Sequence, residues 1–205
     1  MIIHDVPQRS PEWQQIRCGK IGASDMSAVL AKGRGGGESK TRKTLMLRVL
    51  AERLSGIPQE TYCNSAMEWG IEHEQYARNL YELENFCDVK QVGFVEYDEF
   101  VGCSPDGLVG DDGLVEIKCP NSSTHLSYIL AEIMPPEYVN QVQAQIWVTE
   151  RKWCDFVSYD PRIPSKAFWQ IRVERDMKKI IEIQDSVMKF IDELKELEKK
   201  IRNKK

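Results

Sequence analysis

Two carboxylates and a lysine stand at a spacing that could perform hydrolytic chemistry. Nine residues separate Asp106, in a Pro-Asp-Gly sequence, from the Glu-Ile-Lys run of Glu116 and Lys118. Residues two apart on a strand share a face, so these last two project together while Ile117 points into the core. The turn sequence at 110–113 predicts a hairpin that brings Asp106 beside them. Converging carboxylates are oxygen ligands that suit Mg²⁺, and Lys118 could hold or help deprotonate an attacking water.

Each part of this pattern has an ordinary structural explanation. Pro-Asp-Gly is a common turn sequence, and Glu-Ile-Lys fits any strand that buries one apolar side chain. The two parts together, at this spacing and in a predicted hairpin, favour a functional site.

Composition limits the class of protein. The chain has 205 residues, with 28 Lys and Arg against 32 Asp and Glu, a formal net charge of −4. A local basic track can coexist with an acidic exterior, so this balance does not exclude a nucleic-acid partner. No apolar stretch is long enough to span a membrane, and residues 1–7 do not resemble a secretory signal, so we expect a soluble intracellular protein. The six cysteines form no Cys-x-x-Cys pair, which argues against a structural zinc site.

The hydrophobic periodicity predicts the elements that must position the acidic residues. Helices are predicted over residues 10–18, from 24 to before 33, and over 41–55, 66–81, 138–149 and 176–205. Strands are predicted over residues 92–97, 101–109, 114–119, 153–159 and 168–173. Helices therefore precede and follow a small mixed sheet, which predicts one α/β domain over residues 1–205.

The acidic pattern resembles the PD-(D/E)xK nuclease signature, and its surroundings narrow the resemblance. From about Pro11 to Asp176 the chain resembles the lambda exonuclease (YqaJ-type viral alkaline exonuclease) family. The motifs that carry this resemblance are Arg17-x-Gly19-x-Ile21-x-Ala23-Ser24, Trp69-Gly70-x-x-x-Glu74, Ser104-Pro105-Asp106-Gly107, Glu116-x-Lys118-Cys119-Pro120, Gln141-Val142-Gln143, Tyr159-Asp160-Pro161-Arg162 and Glu174-Arg175-Asp176.

The resemblance implies a fold, an activity and partners. The fold would be a restriction-endonuclease-like core, a mixed central β-sheet flanked by α-helices, with a long C-terminal helix over about 176–205. The activity would be a Mg²⁺-dependent 5′→3′ exonuclease, with Mn²⁺ as a substitute, that digests one strand of linear double-stranded DNA. The 3′ tails would serve a single-strand annealing protein. The family also implies a ring-shaped homotrimer, encoded by a phage or prophage and acting in the bacterial cytoplasm.

The resemblance further assigns roles to individual residues. Asp106, Glu116 and the backbone carbonyl of Ile117 would hold Mg²⁺, and Lys118 would contact the nucleophilic water. Glu74 and Gln141 would assist beside the metal. The DNA-binding residues would be Arg17, Ser24 and Ser104 in a 5′-phosphate pocket, Arg34 along the DNA, and Met67 as a wedge at the end base pair.

The residues themselves leave several choices open. Ser24 at a predicted helix N-terminus and Arg17 suit phosphate binding. Sequence does not choose between Glu72 and Glu74, or between Gln141 and Gln143. An endonuclease on the same core and an inactive protein that binds DNA ends are the alternative functions.

Overall fold

The computed structural model describes residues 1–33, 35, 37, 39–59 and 64–204. Its strands form two mixed sheets, one of four strands in the order β1-β4-β5-β2 and one of five in the order β3-β6-β7-β8-β9. The strands are β1 (Ile2–His4), β2 (Ile21–Gly22), β3 (Val89–Lys90), β4 (Phe94–Glu96), β5 (Val101–Cys103), β6 (Gly107–Val109), β7 (Gly113–Lys118), β8 (Trp153–Tyr159) and β9 (Phe168–Glu174).

Seven α-helices surround the sheets in the described ranges. They are α1 (Pro11–Arg17), α2 (Met26–Val29), α3 (Lys40–Ser55), α4 (Ser65–Asn85), α5 (Ser122–Ala131), α6 (Pro136–Val148) and α7 (Met177–Arg202). A 3₁₀ turn over Ala23–Asp25 leads into α2. Asp176 caps the N-terminus of the long helix α7, because its side chain accepts a hydrogen bond from the Lys179 amide. None of the helices described here is long and apolar enough to cross a membrane.

The central strand pair of the larger sheet explains where the core lies. β7 and β8 run parallel, in register from Gly113 beside Trp153 to Lys118 beside Ser158. Helices cover both faces of such a pair, so both strands are almost continuously buried. Leu114 joins a large apolar cluster with α6 and α7, while Val115 and Ile117 join a smaller one with α4. The side chains of β7 therefore alternate between two packed layers.

The structure confirms the predicted fold class but corrects three details. The run predicted as one strand over 101–109 is two strands, β5 and β6, in different sheets. Pro105 lies between them and cannot donate to a strand ladder, which favours a break there. A single central sheet was expected and two are found. The short strands β1, β2 and β3 and the helix α5 were not predicted, because short elements carry little periodicity.

Candidate active site

The hairpin of β6 and β7 brings the acidic pattern together. The strands pair antiparallel with Gly107 opposite Val115, so Asp106 reaches the far end of β7. Its Oδ2 accepts a hydrogen bond from the Ile117 amide at 2.7 Å. On the same strand end, the Lys118 ammonium donates to Oε1 of Glu116. The expected meeting of two carboxylates and one ammonium is therefore present.

Helix α6 holds the Glu116 carboxylate. This residue is only 1 % exposed, and a buried charge is costly unless its oxygens accept hydrogen bonds. The Nε2 groups of Gln141 and Gln145 donate to Oε1 and Oε2 at 2.5 and 2.6 Å. Together with Lys118 they compensate the burial and fix the orientation of the carboxylate.

The structure shows which of Gln141 and Gln143 faces the carboxylates. Gln143 points elsewhere: its Nε2 donates to the Glu174 carbonyl at 2.8 Å, and its Oε1 accepts from the Asp176 amide at 2.9 Å. Gln143 therefore connects α6 by hydrogen bonds to residues 174–176, the segment that precedes α7. Gln141 is the glutamine of the pair that faces the carboxylates.

Glu74 extends the acidic site from α4. It borders the same two cavities as Asp106, whereas Glu72 borders neither. The Glu74 carboxylate is paired with Arg78 at 2.5 Å and with Arg9 at 3.2 Å. Arg78 also donates to the Asp106 carbonyl at 3.3 Å. Arg78 therefore links the two acidic residues.

The electrostatics of the site show an excess of negative charge at its centre. Burial, followed by the nearby carboxylates of Glu116 and Glu74, raises the pKa of Asp106 well above its usual value. Burial by itself lowers the pKa of Lys118, but Glu116 and Asp106 outweigh it and raise that pKa above its ordinary value. The lysine is therefore held as a cation beside carboxylates that repel each other.

The donor set fits a hard divalent cation. No group of three or more His, Cys, Asp or Glu side chains that could hold a metal occurs among the described residues. Mg²⁺ needs no such group, since one or two carboxylates with water and substrate phosphate complete its octahedron. The carboxylates of Asp106 and Glu116 and the Ile117 carbonyl are oxygen donors of this kind. The nearby Cys119 is no competing ligand, because burial and then the charge of Glu74 raise the pKa of its thiol to about 12.

A cleft of about 870 Å³ is lined by Asp106, Ile117, Lys118 and Cys119. Met67 of α4 also lines the cleft, with 46 % of its surface exposed. Met67 is therefore a cleft residue and not part of the core. Its role as a wedge stays a prediction. We call this space the carboxylate cleft.

The predicted phosphate residues meet around Trp13 and Gly22. The Arg17 guanidinium stacks on the Trp13 ring at 4.0 Å, and the indole N–H of Trp13 donates to Ser104 Oγ at 2.9 Å. A Cβ placed on Gly22 would lie 3.7 Å from both Arg17 Nη2 and Ser24 Oγ, so these two groups border the same glycine.

The Arg17 guanidinium is partly buried, and the Asp25 carboxylate also lies beside Gly22. In the described part of the chain the guanidinium makes no hydrogen bond, and the Ser24 residue is exposed. Burial lowers the pKa of Arg17, against the opposing charge of Asp25, yet an arginine remains protonated at neutral pH. Arg34, the remaining predicted DNA contact, lies outside the described residues.

Sequence reasoning missed Gln145, Arg78, Arg9 and Arg162 at the site. Two of them could have been predicted from the sequence. Gln145 lies four residues after Gln141, and Arg78 lies four residues after Glu74, and residues four apart lie on the same face of a helix. Arg9 and Arg162 lie on loops and reach the carboxylate cleft through tertiary contacts only.

A strand pair that carries an aspartate before β6 and a Glu-x-Lys at the end of β7 defines the PD-(D/E)xK class of folds. Within that class, residues 12–152 match the YqaJ-like viral recombinase domain, and the chain belongs to this family.

Solved structures agree with this assignment. The alkaline exonuclease LHK-Exo of Laribacter hongkongensis is 39% identical, with a TM-score of 0.86 over 94% of this chain and 96% of that one. The same enzyme has also been solved in complex with dAMP. A phage-related exonuclease of Haemophilus somnus shares the fold, with a TM-score of 0.68 over 92% and 99% of the two chains, at 16% identity.

Curated relatives are more distant. An uncharacterised protein of Acanthamoeba polyphaga mimivirus is 27% identical over 177 residues, which is 76% of this chain but 30% of the viral protein. The putative uncharacterised protein ExoD of Escherichia coli K12 is 31% identical over 65 residues, which is 32% of this chain and 75% of that protein.

Proposed function

We propose that this protein is a Mg²⁺-dependent 5′→3′ exonuclease that digests one strand of linear double-stranded DNA from 5′-phosphorylated ends. The observation that carries the proposal is the meeting of Asp106, Glu116 and Lys118 two residues from Ser104, which we assign to the phosphate pocket. The likeness to an alkaline exonuclease over nearly the whole chain supports it.

The positions of the two sites support an action at DNA ends. Two residues of extended chain span at most about 7 Å, so Ser104 lies close to the carboxylates. A terminal phosphate bound by Arg17, Ser24 and Ser104 would place a nearby phosphodiester in front of Asp106. Binding of the end thereby selects the bond that is cut, as orientation effects require.

Protein groups have distinct roles in the proposed reaction. Lys118 lines the cleft beside Asp106 and pairs with Glu116, so it orients the attacking water and stabilises charge on the phosphate. Gln141 and Gln145 hold the Glu116 carboxylate in position. Asp106, Glu116 and the Ile117 carbonyl would hold Mg²⁺, with Mn²⁺ as a substitute. When bound, the metal supplies charge neutralisation at the phosphate oxygens.

The proposal is tested with linear duplex DNA carrying 5′-phosphate ends and with a covalently closed circle, both in Mg²⁺. We expect loss of the linear duplex, survival of the circle and of one complementary strand, and release of mononucleotides from the labelled 5′ end. Release from the 3′ end would reject the polarity. Nicking of the circle would indicate an endonuclease, and binding of ends without cleavage would indicate an inactive end-binding protein.

Gln141 and Gln143 provide a matched pair of variants. Gln141→Leu is expected to slow DNA hydrolysis about 10–100-fold, the usual cost of losing a group that orients a ligand. Its effect on stability should be small, because Lys118 still donates to the same Glu116 oxygen. Gln143→Leu leaves a backbone amide and a carbonyl unpaired, so we expect a loss of about 1–3 kcal/mol of unfolding free energy and a nearly normal rate. Urea unfolding and hydrolysis rates measure both, and a reversed pattern would contradict the assignment.

Arg17 is expected to determine the preference for phosphorylated ends. A charged hydrogen bond is worth about 1.5–3 kcal/mol, so Arg17→Gln should reduce the ratio of rates on 5′-phosphate and 5′-hydroxyl ends by about 10–100-fold. Arg42→Gln, which removes an exposed ion pair with Glu193, is the control. An unchanged ratio in Arg17→Gln would place the phosphate elsewhere.

The remaining proposals concern assembly and partners. We propose that residues 1–205 form one domain, because the large apolar cluster takes residues from both sheets, such as Val101 and Leu114. A ring-shaped homotrimer would retain its DNA by enclosing it, so a chain of net charge −4 could be processive with few basic contacts. The 3′-tailed product would be taken up by a single-strand annealing protein in the cytoplasm of a bacterium that carries a phage or prophage.

A further inference from the structure

Besides Arg9, a second arginine borders the carboxylate cleft, and it is held in a fixed position. Arg162 lies on the loop after β8, with 43 % of its side chain exposed. Its guanidinium stacks on the Trp69 ring of α4 at 4.2 Å. Its Nε donates to Asp160 at 2.6 Å, and Nη2 donates to the Pro120 carbonyl at 2.9 Å. These three contacts hold one face and two nitrogens of the group.

The contacts leave a donor available to a ligand. Within the described residues Arg162 Nη1 has no hydrogen-bond partner. Asp160 is fully buried, and its pKa is lowered because hydrogen bonds from Arg162 and Ser122 outweigh the opposing effect of burial. The side chain that anchors Arg162 is therefore a fixed anion. A preorganised planar guanidinium with a free N–H edge is suited to a phosphate oxygen.

Along the chain, the Asp106–Lys118 hairpin lies between the segment that contacts Trp13 and the segment that Arg162 holds. Arg17 connects through Trp13 to Ser104, two residues before Asp106, whereas Arg162 holds Pro120, two residues after Lys118. The two arginines border separate cavities that share no lining residue. Arg162 shares a cavity with Asp106 and Lys118, so a strand whose 5′-phosphate is bound at Arg17 and whose cut bond is at Asp106 would reach Arg162 on its 3′ side.

We propose that Arg162 is a positioning residue that binds a phosphate of the strand being digested, on the 3′ side of the bond that is cut. This inference rests on the proposed function for the direction of the strand. Arg162 then holds the strand in register after each cut. Its hydrogen bond to Pro120 couples that contact to the segment that carries Lys118.

Arg172 is a closely matched control. It also stacks on a tryptophan, Trp153, at 3.6 Å and pairs with a buried aspartate, Asp155, at 2.8 Å, with 50 % of its side chain exposed. It does not border the carboxylate cleft. Substituting Arg172 therefore removes the same kinds of structural contact without removing the proposed phosphate contact.

The test measures binding of the full chain to 5′-phosphorylated duplex ends by fluorescence anisotropy in Ca²⁺, a hard oxygen-seeking cation that replaces Mg²⁺ while affinity is read. We expect Arg162→Gln to weaken binding about 10-fold and to lower the salt slope of the affinity by about 1. Arg162→Lys keeps the charge but loses the planar group, so its affinity should lie between those of the wild type and Arg162→Gln. Arg172→Gln should bind with the affinity of the wild type. Urea unfolding shows whether each variant is folded.

A scan of the DNA identifies the phosphate. Neutral methylphosphonates are placed singly at each of the first few linkages from the 5′ end. One position on the digested strand should weaken binding of the wild type and have no further effect on Arg162→Gln, because the pair is already broken. Equal losses in both proteins at every position would overturn the proposal, as would equal binding by Arg162→Gln and Arg172→Gln.

This design separates failure of the inference from failure of the proposed function. If the wild type binds ends in Ca²⁺ but does not cleave in Mg²⁺, the exonuclease proposal fails while the scan still decides the role of Arg162. If the wild type cleaves normally but the scan finds no position coupled to Arg162, only the inference fails. Absence of any binding to DNA ends would overturn both.

Discussion

Lys118→Met is expected to slow DNA hydrolysis by about 10³-fold while the protein remains folded. The substitution keeps the length of the apolar stem and removes the ammonium that donates to Glu116. Loss of one preorganised donor that stabilises developing charge costs about 10²–10³-fold, and loss of control over the attacking water adds to it. Single-turnover digestion of a 5′-labelled duplex measures the rate.

The matched control is Lys152→Met. Lys152 also pairs with a carboxylate, Asp112, at 2.8 Å, but it is 70 % exposed and does not border the carboxylate cleft. We expect its rate to equal that of the wild type. A Lys118→Met protein that binds DNA ends normally and retains a tenth or more of the wild-type rate would show that the lysine is structural.

Asp106→Asn is expected to abolish hydrolysis and also to remove the response of the protein to Mg²⁺. A ligand that binds only the folded state stabilises it by about 2.7 kcal/mol at a hundred times its dissociation constant. For a chain of this size that corresponds to an increase in Tm of roughly 5–10 °C. Without the Asp106 carboxylate the oxygen donor set is incomplete, so the variant should show little of this increase.

The same variant is expected to be more stable than the wild type when no metal is present. Burial and the charges of Glu116 and Glu74 raise the pKa of Asp106, so its ionised form is disfavoured in the folded protein. Asparagine removes that charge and keeps an oxygen for the Ile117 amide, which Asp106 accepts from at 2.7 Å. We therefore expect a higher Tm in EDTA, by a few degrees for each kcal/mol gained.

Calorimetry of both proteins in EDTA and in Mg²⁺ measures the two effects together. Glu72→Gln, at an exposed position of α4 outside the cleft, is the control and should respond to Mg²⁺ like the wild type. An unchanged Mg²⁺ response in Asp106→Asn would mean that the cation binds elsewhere. A lower Tm of that variant in EDTA would mean that the carboxylates do not repel each other.

The local part of this protein was predictable from its sequence. Alternation along β7 determined that Glu116 and Lys118 share a face opposite Ile117, because a strand repeats every two residues. The turn sequence before Gly113 determined the hairpin, and so the approach of Asp106. The apolar spacing after Asp176 determined the long helix α7. Each of these depends on neighbours within about a dozen residues, whose geometry the chain itself restricts.

Only the tertiary structure decided which polar side chains complete the site. Sequence does not distinguish Gln141 from Gln143. In the structure Gln141 donates a hydrogen bond to Glu116 of β7, whereas Gln143 accepts one from the Asp176 amide at the start of α7. Pro105 divides a continuous apolar run between two sheets. Arg17 and Arg162 reach their places through Trp13 and Trp69, which lie far from the carboxylates in sequence. Such contacts depend on how distant elements pack, and side-chain packing is decided in three dimensions and not by local periodicity.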